Sequence, residues 1–121
     1  MLTVNVAKSG EMNEVLLTGE LDGMTSPQLE QQLNGLIEAG ERCFLIRLAP
    51  LALITSAGLR VFLGFAKKMH KLNGKMILCE MAPNVRGVFD TVGFSNIMTI
   101  SATAAEGKAL LQPEPAPAPP I

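Results

Sequence analysis

Between Leu51 and Met69 the chain passes from a strand pattern to a helix pattern with no linker between them. Leu51-Ala52-Leu53-Ile54 is an apolar run of strand length, and Thr55-Ser56-Ala57-Gly58 follow it as small residues carrying two hydroxyls. Apolar side chains then recur at Leu59, Phe62, Leu63, Ala66 and Met69, the three- and four-residue steps of one helix face. An extended run feeding an amphipathic helix commits the chain to layered α/β packing, because each element has an apolar face to cover. A hydroxyl at such a junction can cap the helix, or accept a phosphate where the helix dipole favours negative charge.

The flanking segments repeat the alternation. Residues 2–6 alternate apolar and polar, Lys8-Ser9-Gly10-Glu11 reads as a turn, and Val15–Gly19 as a second strand, which together predict a hairpin. Thr25 with Gln28 three residues on fits a capping box, with Pro27 in the first turn and Leu29, Leu33, Leu36 and Ile37 as the buried stripe. Cys43–Ile46 and Lys75–Glu80 read as strands, the first apolar on both faces as a central strand is. Pro83 opens a helix closed by Gly93, residues 96–100 read as a brief strand, and Thr103 with Glu106 caps a last helix through Leu111. The predicted order is β-β-α-β-α-β-α-β-α. It implies a mixed sheet of four to five strands, an initial hairpin followed by parallel βαβ units, with about four helices mainly on one face. One domain over residues 1–111 accounts for this pattern. The proline-rich residues 112–121 are expected to be a disordered tail, since proline lacks the amide donor.

Composition narrows the function. With 48% hydrophobic residues in 121, the chain has the material for a real core. A net charge of −1 leaves no basic footprint for nucleic acid, and the absence of Trp and Tyr removes the usual stacking platforms. No apolar run is long enough for a membrane span, and the N-terminus has no signal-peptide pattern, so a cytoplasmic location is expected. Cys43 and Cys79 lie in strand patterns and are read as reduced, buried thiols. One histidine and no close cysteine pair make no metal site, and no cofactor motif is present.

Catalysis finds no constellation. A nucleophilic hydroxyl needs a base beside it, and His70 lies about fourteen helical residues, roughly 20 Å, beyond Ser56. The chain is therefore expected not to be an enzyme. Val61 and Phe65 fall off the main stripe beside Arg60 and Lys68; they read either as exposed apolar groups ringed by cations, suited to an acidic, partly apolar partner, or, for Phe65, as a side chain packed under the third helix.

The order of elements, Gly19-Glu20-Leu21-Asp22, and the run from Thr55 to Leu63 together resemble a STAS domain, the family of bacterial anti-sigma factor antagonists. Asn73-Gly74-Lys75, Val92-Gly93-Phe94 and Thr103-Ala104-Ala105-Glu106 agree with it, and the resemblance spans residues 1 to about 111. It implies a partner switch. The unmodified protein, a monomer when free, binds a serine-kinase anti-sigma factor; the kinase phosphorylates a serine at the start of the second helix, and a phosphatase reverses this. Ala57 cannot carry phosphate, so the resemblance places the acceptor at Ser56, with Thr55 as fallback. The implied partner surface comprises Asp22, Ser56, Ala57, Gly58, Arg60, Val61, Phe65 and Lys68. Arg47-Leu48-Ala49 stands where family members commonly carry Asp-Leu-Ser, which raises the idea that Arg47 neutralises a phosphate. The same fold also serves a constitutive, unphosphorylated subunit or scaffold module that binds a transporter ATPase or signalling complex.

Overall fold

In the computed structural model, residues 1–94 and 98–111 are described; the predicted tail at 112–121, and Asn96 and Ile97 of the predicted last strand, lie outside them. The strands are β1 (Leu2–Ser9), β2 (Met12–Leu21), β3 (Cys43–Arg47), β4 (Leu51–Ile54), β5 (Lys75–Cys79) and β6 (Thr99–Ser101). The helices are α1 (Ser26–Glu38), α2 (Ser56–Lys71), α3 (Pro83–Thr91) and α4 (Ala104–Leu111). The sheet runs β1-β2-β3-β5-β6, with β1 antiparallel to β2 and the later pairs parallel.

Six strands form where the pattern counted four to five, because Leu51–Ile54 pairs in its own right. β3 takes the first half of β2, from Asn13 to Leu16, and β4 takes the second half, from Gly19 to Leu21. Two short strands thus share one edge of a long one. The chain between them leaves the ladder at Pro50, which has no amide to donate, and the β2–β4 register slips between Gly19 and Glu20. Gly19 meets that slip at φ +107°, and any Cβ there would strike the Met1 carbonyl. The hairpin is also longer than predicted, since β1 continues through Lys8 and Ser9.

Alternation along the central strands divides the core in two. Phe44, Ile46 and Leu78 point to the face covered by α1, α2 and α3, where they join Leu29, Leu33, Phe62 and Phe89. Leu45, Ile77 and Cys79 point to the opposite face, where Leu111 of α4 closes on them. Three helices lie on one face and the short fourth on the other. Both cysteines are free, at opposite ends of the β3–β5 pair. Burial pushes the Cys79 thiol up to about 11 and also raises half-buried Cys43.

Helix ends follow sequence chemistry in two cases and depart from it in one. α2 stops at Asn73, which adopts φ +58°, while Gly74 donates back to the Met69 carbonyl at 2.7 Å. At α4 the Thr103 hydroxyl accepts from the Glu106 amide at 3.1 Å, and the Glu106 carboxylate accepts from the Ala102 amide at 3.3 Å. At α1 the expected Thr25–Gln28 box does not form. Thr25 donates its hydroxyl to the Glu20 carbonyl at 2.8 Å, and the Gln28 amide donates to the Leu2 carbonyl at 3.1 Å.

Candidate functional site

The parallel strands all end at one edge of the sheet, and the loops leaving that edge build the site. β2 delivers Asp22 and the loop into α1, β4 delivers Thr55 and the start of α2, and β5 delivers the loop into α3. Asn84 at the head of α3 ties in by donating to the Ala52 carbonyl at 3.1 Å. This is the edge where helix N-termini and strand C-termini meet, the usual place for recognition in open α/β sheets.

The α1 loop is closed upon itself. Asp22 Oδ1 accepts from the amides of Met24 at 2.9 Å and Thr25 at 3.0 Å, and the Thr25 hydroxyl accepts from the Asp22 amide at 2.9 Å. Ser26, buried, donates its hydroxyl to the Asp22 carbonyl. Those backbone donors, Thr25 first, hold the Asp22 carboxyl below its ordinary range. Asp22 is thus the organiser of a turn. The turn presents Met24 to solvent with 91% of its surface exposed, a side chain that sequence periodicity did not flag because no apolar neighbour repeats with it.

The α2 start is the opposite. Thr55 is its N-cap residue, in extended geometry, and makes no side-chain capping bond; its hydroxyl leans toward the Leu21 carbonyl at 3.4 Å. Ser56 is the first helical residue and is exposed, and of its two readings the helix cap is not the one realised. No acidic residue occupies the first turn. The helix's own first turn therefore supplies no negative charge to the positive end of its dipole. One turn on, Gly58 is buried against β2 and β4: a Cβ there would sit 2.7 Å from Leu21 Cγ and 3.0 Å from Ile54 Cγ1.

Two shallow cavities lead away from this start along the seam between α1 and α2. One of about 240 Å³ is lined by Gly23, Ser26, Pro27, Ala57 and their neighbours; the next, of about 130 Å³, reaches Asn34, Gly64 and Lys68. They share Glu30, Arg60 and Val61 and form one continuous groove. Both fall below the size usual for cofactor pockets. Glu30 and Asn34 belong to the groove although sequence reading missed them; they stand one helical turn apart on α1, beside the Leu29–Leu33 stripe.

Of the two readings for this face, the exposed one fails: Val61 and Phe65 are both buried. They are 8% and 4% exposed, and Phe65 meets Phe44 edge-on with ring centroids 4.9 Å apart. α2 packs on α1 as well as on the sheet, so its buried arc is wider than one stripe. Both residues form the groove's floor. Arg60 and Lys68 are exposed at its rim, Lys68 donating to Asn34 Oδ1 at 2.7 Å. Arg47 is not available to a phosphate, since it pairs with Glu80 at 2.8 Å and Glu14 at 2.9 Å on the sheet face that carries α4. These partners raise its pKa, Glu80 foremost.

Among the described residues no group of His, Cys, Asp and Glu is arranged to hold a metal ion, and no helix is long and apolar enough to cross a membrane. His70 is exposed near the far end of α2.

Comparison with known proteins places this architecture. BtrV of Bordetella bronchiseptica, named as an anti-sigma factor antagonist, is 38% identical over 99 residues, covering 78% of this chain and 85% of its own. The crystal structure of an anti-sigma factor antagonist from Mycobacterium paratuberculosis superposes with a TM-score of 0.84 at 21% identity, over 92% of this chain and 94% of the other. The Bacillus cell fate determinant SpoIIAA in its phosphorylated form gives 0.72 at 22% identity, over 91% and 100%. The profile of the STAS domain matches residues 4–107, nearly the whole of the described sheet and helices. With that match and the identity to BtrV, the chain belongs to the STAS domain family.

Proposed function

We propose that this protein is an anti-sigma factor antagonist that binds a serine-kinase anti-sigma factor and is released by phosphorylation of Ser56. The observation that carries the reading is the α2 start, where an exposed hydroxyl sits on an uncapped helix N-terminus beside a groove. The names of its relatives support the same direction. In the proposed step the γ-phosphoryl group of ATP moves to Ser56 Oγ, the serine proton passes to a base of the kinase, and ADP leaves. The product carries nearly two negative charges at neutral pH. The dipole of α2 tolerates them locally, whereas a partner surface packed over Ser56 desolvates and repels them. The domain stays folded and the partner leaves. A phosphatase restores the serine. The protein acts in the cytoplasm, by binding and not by catalysis, and as a monomer when free.

The experiment is incubation with ATP and the kinase-type anti-sigma factor encoded beside it, followed by mapping of phosphate by mass spectrometry. Phosphate on Ser56 that disappears in Ser56→Ala is the expected result; phosphate on Thr55 moves the switch one residue upstream. A second reading, a constitutive unphosphorylated subunit, draws support from Ala57 and from Arg47, which stands where the family resemblance leads one to expect an acid. Tight binding with no phosphate at any position selects that reading.

A further inference from the structure

We infer that the groove between α1 and α2 is the docking track for an acidic segment of the partner, anchored by Arg60 and Lys68, and that phosphate on Ser56 closes it by claiming Arg60. The inference rests on the partner-switching reading above and names the chemistry of its contact.

Three features carry it. The first is charge. α2 holds Arg60, Lys67, Lys68 and Lys71, four of the ten Lys and Arg of the chain, and no acidic residue, in a protein whose net charge is −1. Arg60 makes no ion pair or hydrogen bond among the described residues, and Lys68 holds only the neutral Asn34. Both cations are free to meet carboxylates, and eight helical residues set them about 12 Å apart.

The second is shape. Between the two cations lies Gly64, exposed, with no atom within 4 Å of where a Cβ would be. Glycine inside a helix is costly in backbone entropy, and here its missing side chain opens the groove down to Val61 and Phe65. The volume of about 130 Å³ suits one apolar side chain, flanked by carboxylates that reach the two ends. Glu30 from α1 lines the same track and repels a uniformly acidic tract, which favours a segment with its acids turned toward α2.

The third is continuity. The groove opens at Ala57, next to Ser56, and Arg60 follows Ser56 at the i+4 position of the same helix. An acid four residues before a base is the favourable order on a helix. Phosphate on Ser56 therefore draws Arg60 back onto its own helix and leaves negative charge at the head of the track. Release follows from losing an anchor as well as from repulsion.

The test is a titration of each variant against the purified kinase-type anti-sigma factor encoded beside it, at low and at physiological salt. Lys68→Glu and Gly64→Leu are each expected to weaken binding at least tenfold while thermal midpoints stay near wild type. Lys68→Glu is also expected to flatten the salt dependence. If wild type binds and both variants bind within twofold of it, the groove is overturned and the partner-switching reading stands. If wild type does not bind, both fall. In the phosphorylated form, Arg60→Ala is expected to bind no more weakly than phosphorylated Arg60 protein, since the anchor is already withdrawn; a further tenfold loss overturns the closing step.

Discussion

Two helices start at the same edge of the sheet, a few residues from each other in space, and they start in contrary ways. In the α1 start Asp22, Thr25 and Ser26 bond one another and the adjacent backbone. The α2 start leaves Ser56 exposed and offers no side-chain cap. Neither helix has a side-chain cap; what differs is that the polar groups of the α1 loop are bonded among themselves, a fixed support, while the Ser56 hydroxyl is exposed and open to an incoming group. The difference separates scaffold from site within a single sheet edge, although both loops carry small polar residues.

The largest test of this contrast uses the glycines on the two sides. Gly58→Val pushes a branched side chain into Leu21 and Ile54, both buried, and is expected to cost about 1–3 kcal/mol as overpacking. Gly23 in the α1 loop has nothing within 4 Å, so Gly23→Ala is expected to move stability by under about 0.5 kcal/mol. Urea midpoints of the two variants check this. Equal losses would show that the α2 start is not seated on β2 and β4, and would remove the reason its hydroxyl faces out.

How much of this the sequence disclosed depends on the reach of the interaction. The alternating core of β3 and β5 and the stripe from Leu59 to Met69 are local patterns, and they were legible. The two readings of Phe65 could not be separated because its burial comes from Phe44 and from α1, elements that no periodicity within α2 can register. Arg47 was misjudged for the same reason, since Glu14 and Glu80 each lie 33 residues away. Thr25 shows a different failure. Its spacing to Gln28 matched a capping box, but the Asp22 carboxylate takes the Thr25 amide that the Gln28 side chain would have reached, and the Thr25 hydroxyl turns back to Glu20. The site itself was half legible: Ser56 and Arg60 stand where the pattern put them, while Glu30 and Gly64 required the packing of two helices.

The next effect is smaller and depends on pH. Asp22 has its carboxyl held low in the folded protein by backbone donors, so its ionised form favours folding. That contribution is present above the unfolded carboxylate value, about 3.9, and fades as pH falls toward the lower folded value. Asp22→Asn keeps an acceptor for the Met24 and Thr25 amides but cannot titrate, and it is expected to flatten the acid limb of the stability curve below about pH 4. Asp22→Ala loses the acceptor as well and is expected to lower the midpoint at neutral pH. Glu41, also held low through Lys8, contributes in the same direction, so the comparison is made between variants at matched pH. An acid limb unchanged in Asp22→Asn would mean that the α1 turn does not depend on the charge.

The smallest expected effect is the most telling. Ser56→Ala removes an exposed hydroxyl that caps nothing and bonds no acceptor among the described residues, so its thermal midpoint is expected to match wild type, within about 0.5 kcal/mol of stability. Asp22→Ala, at the partner junction, is not silent. A residue whose loss the fold does not feel, on an exposed helix start whose first turn holds no acid, is free to be modified without unfolding the domain. Ser56→Glu extends the argument: a carboxylate in the first turn favours the dipole and is expected to raise the midpoint slightly, while binding to the kinase-type partner falls. A midpoint that drops in Ser56→Ala by as much as in Asp22→Ala would make the hydroxyl a structural cap after all, and the two helix starts would cease to differ.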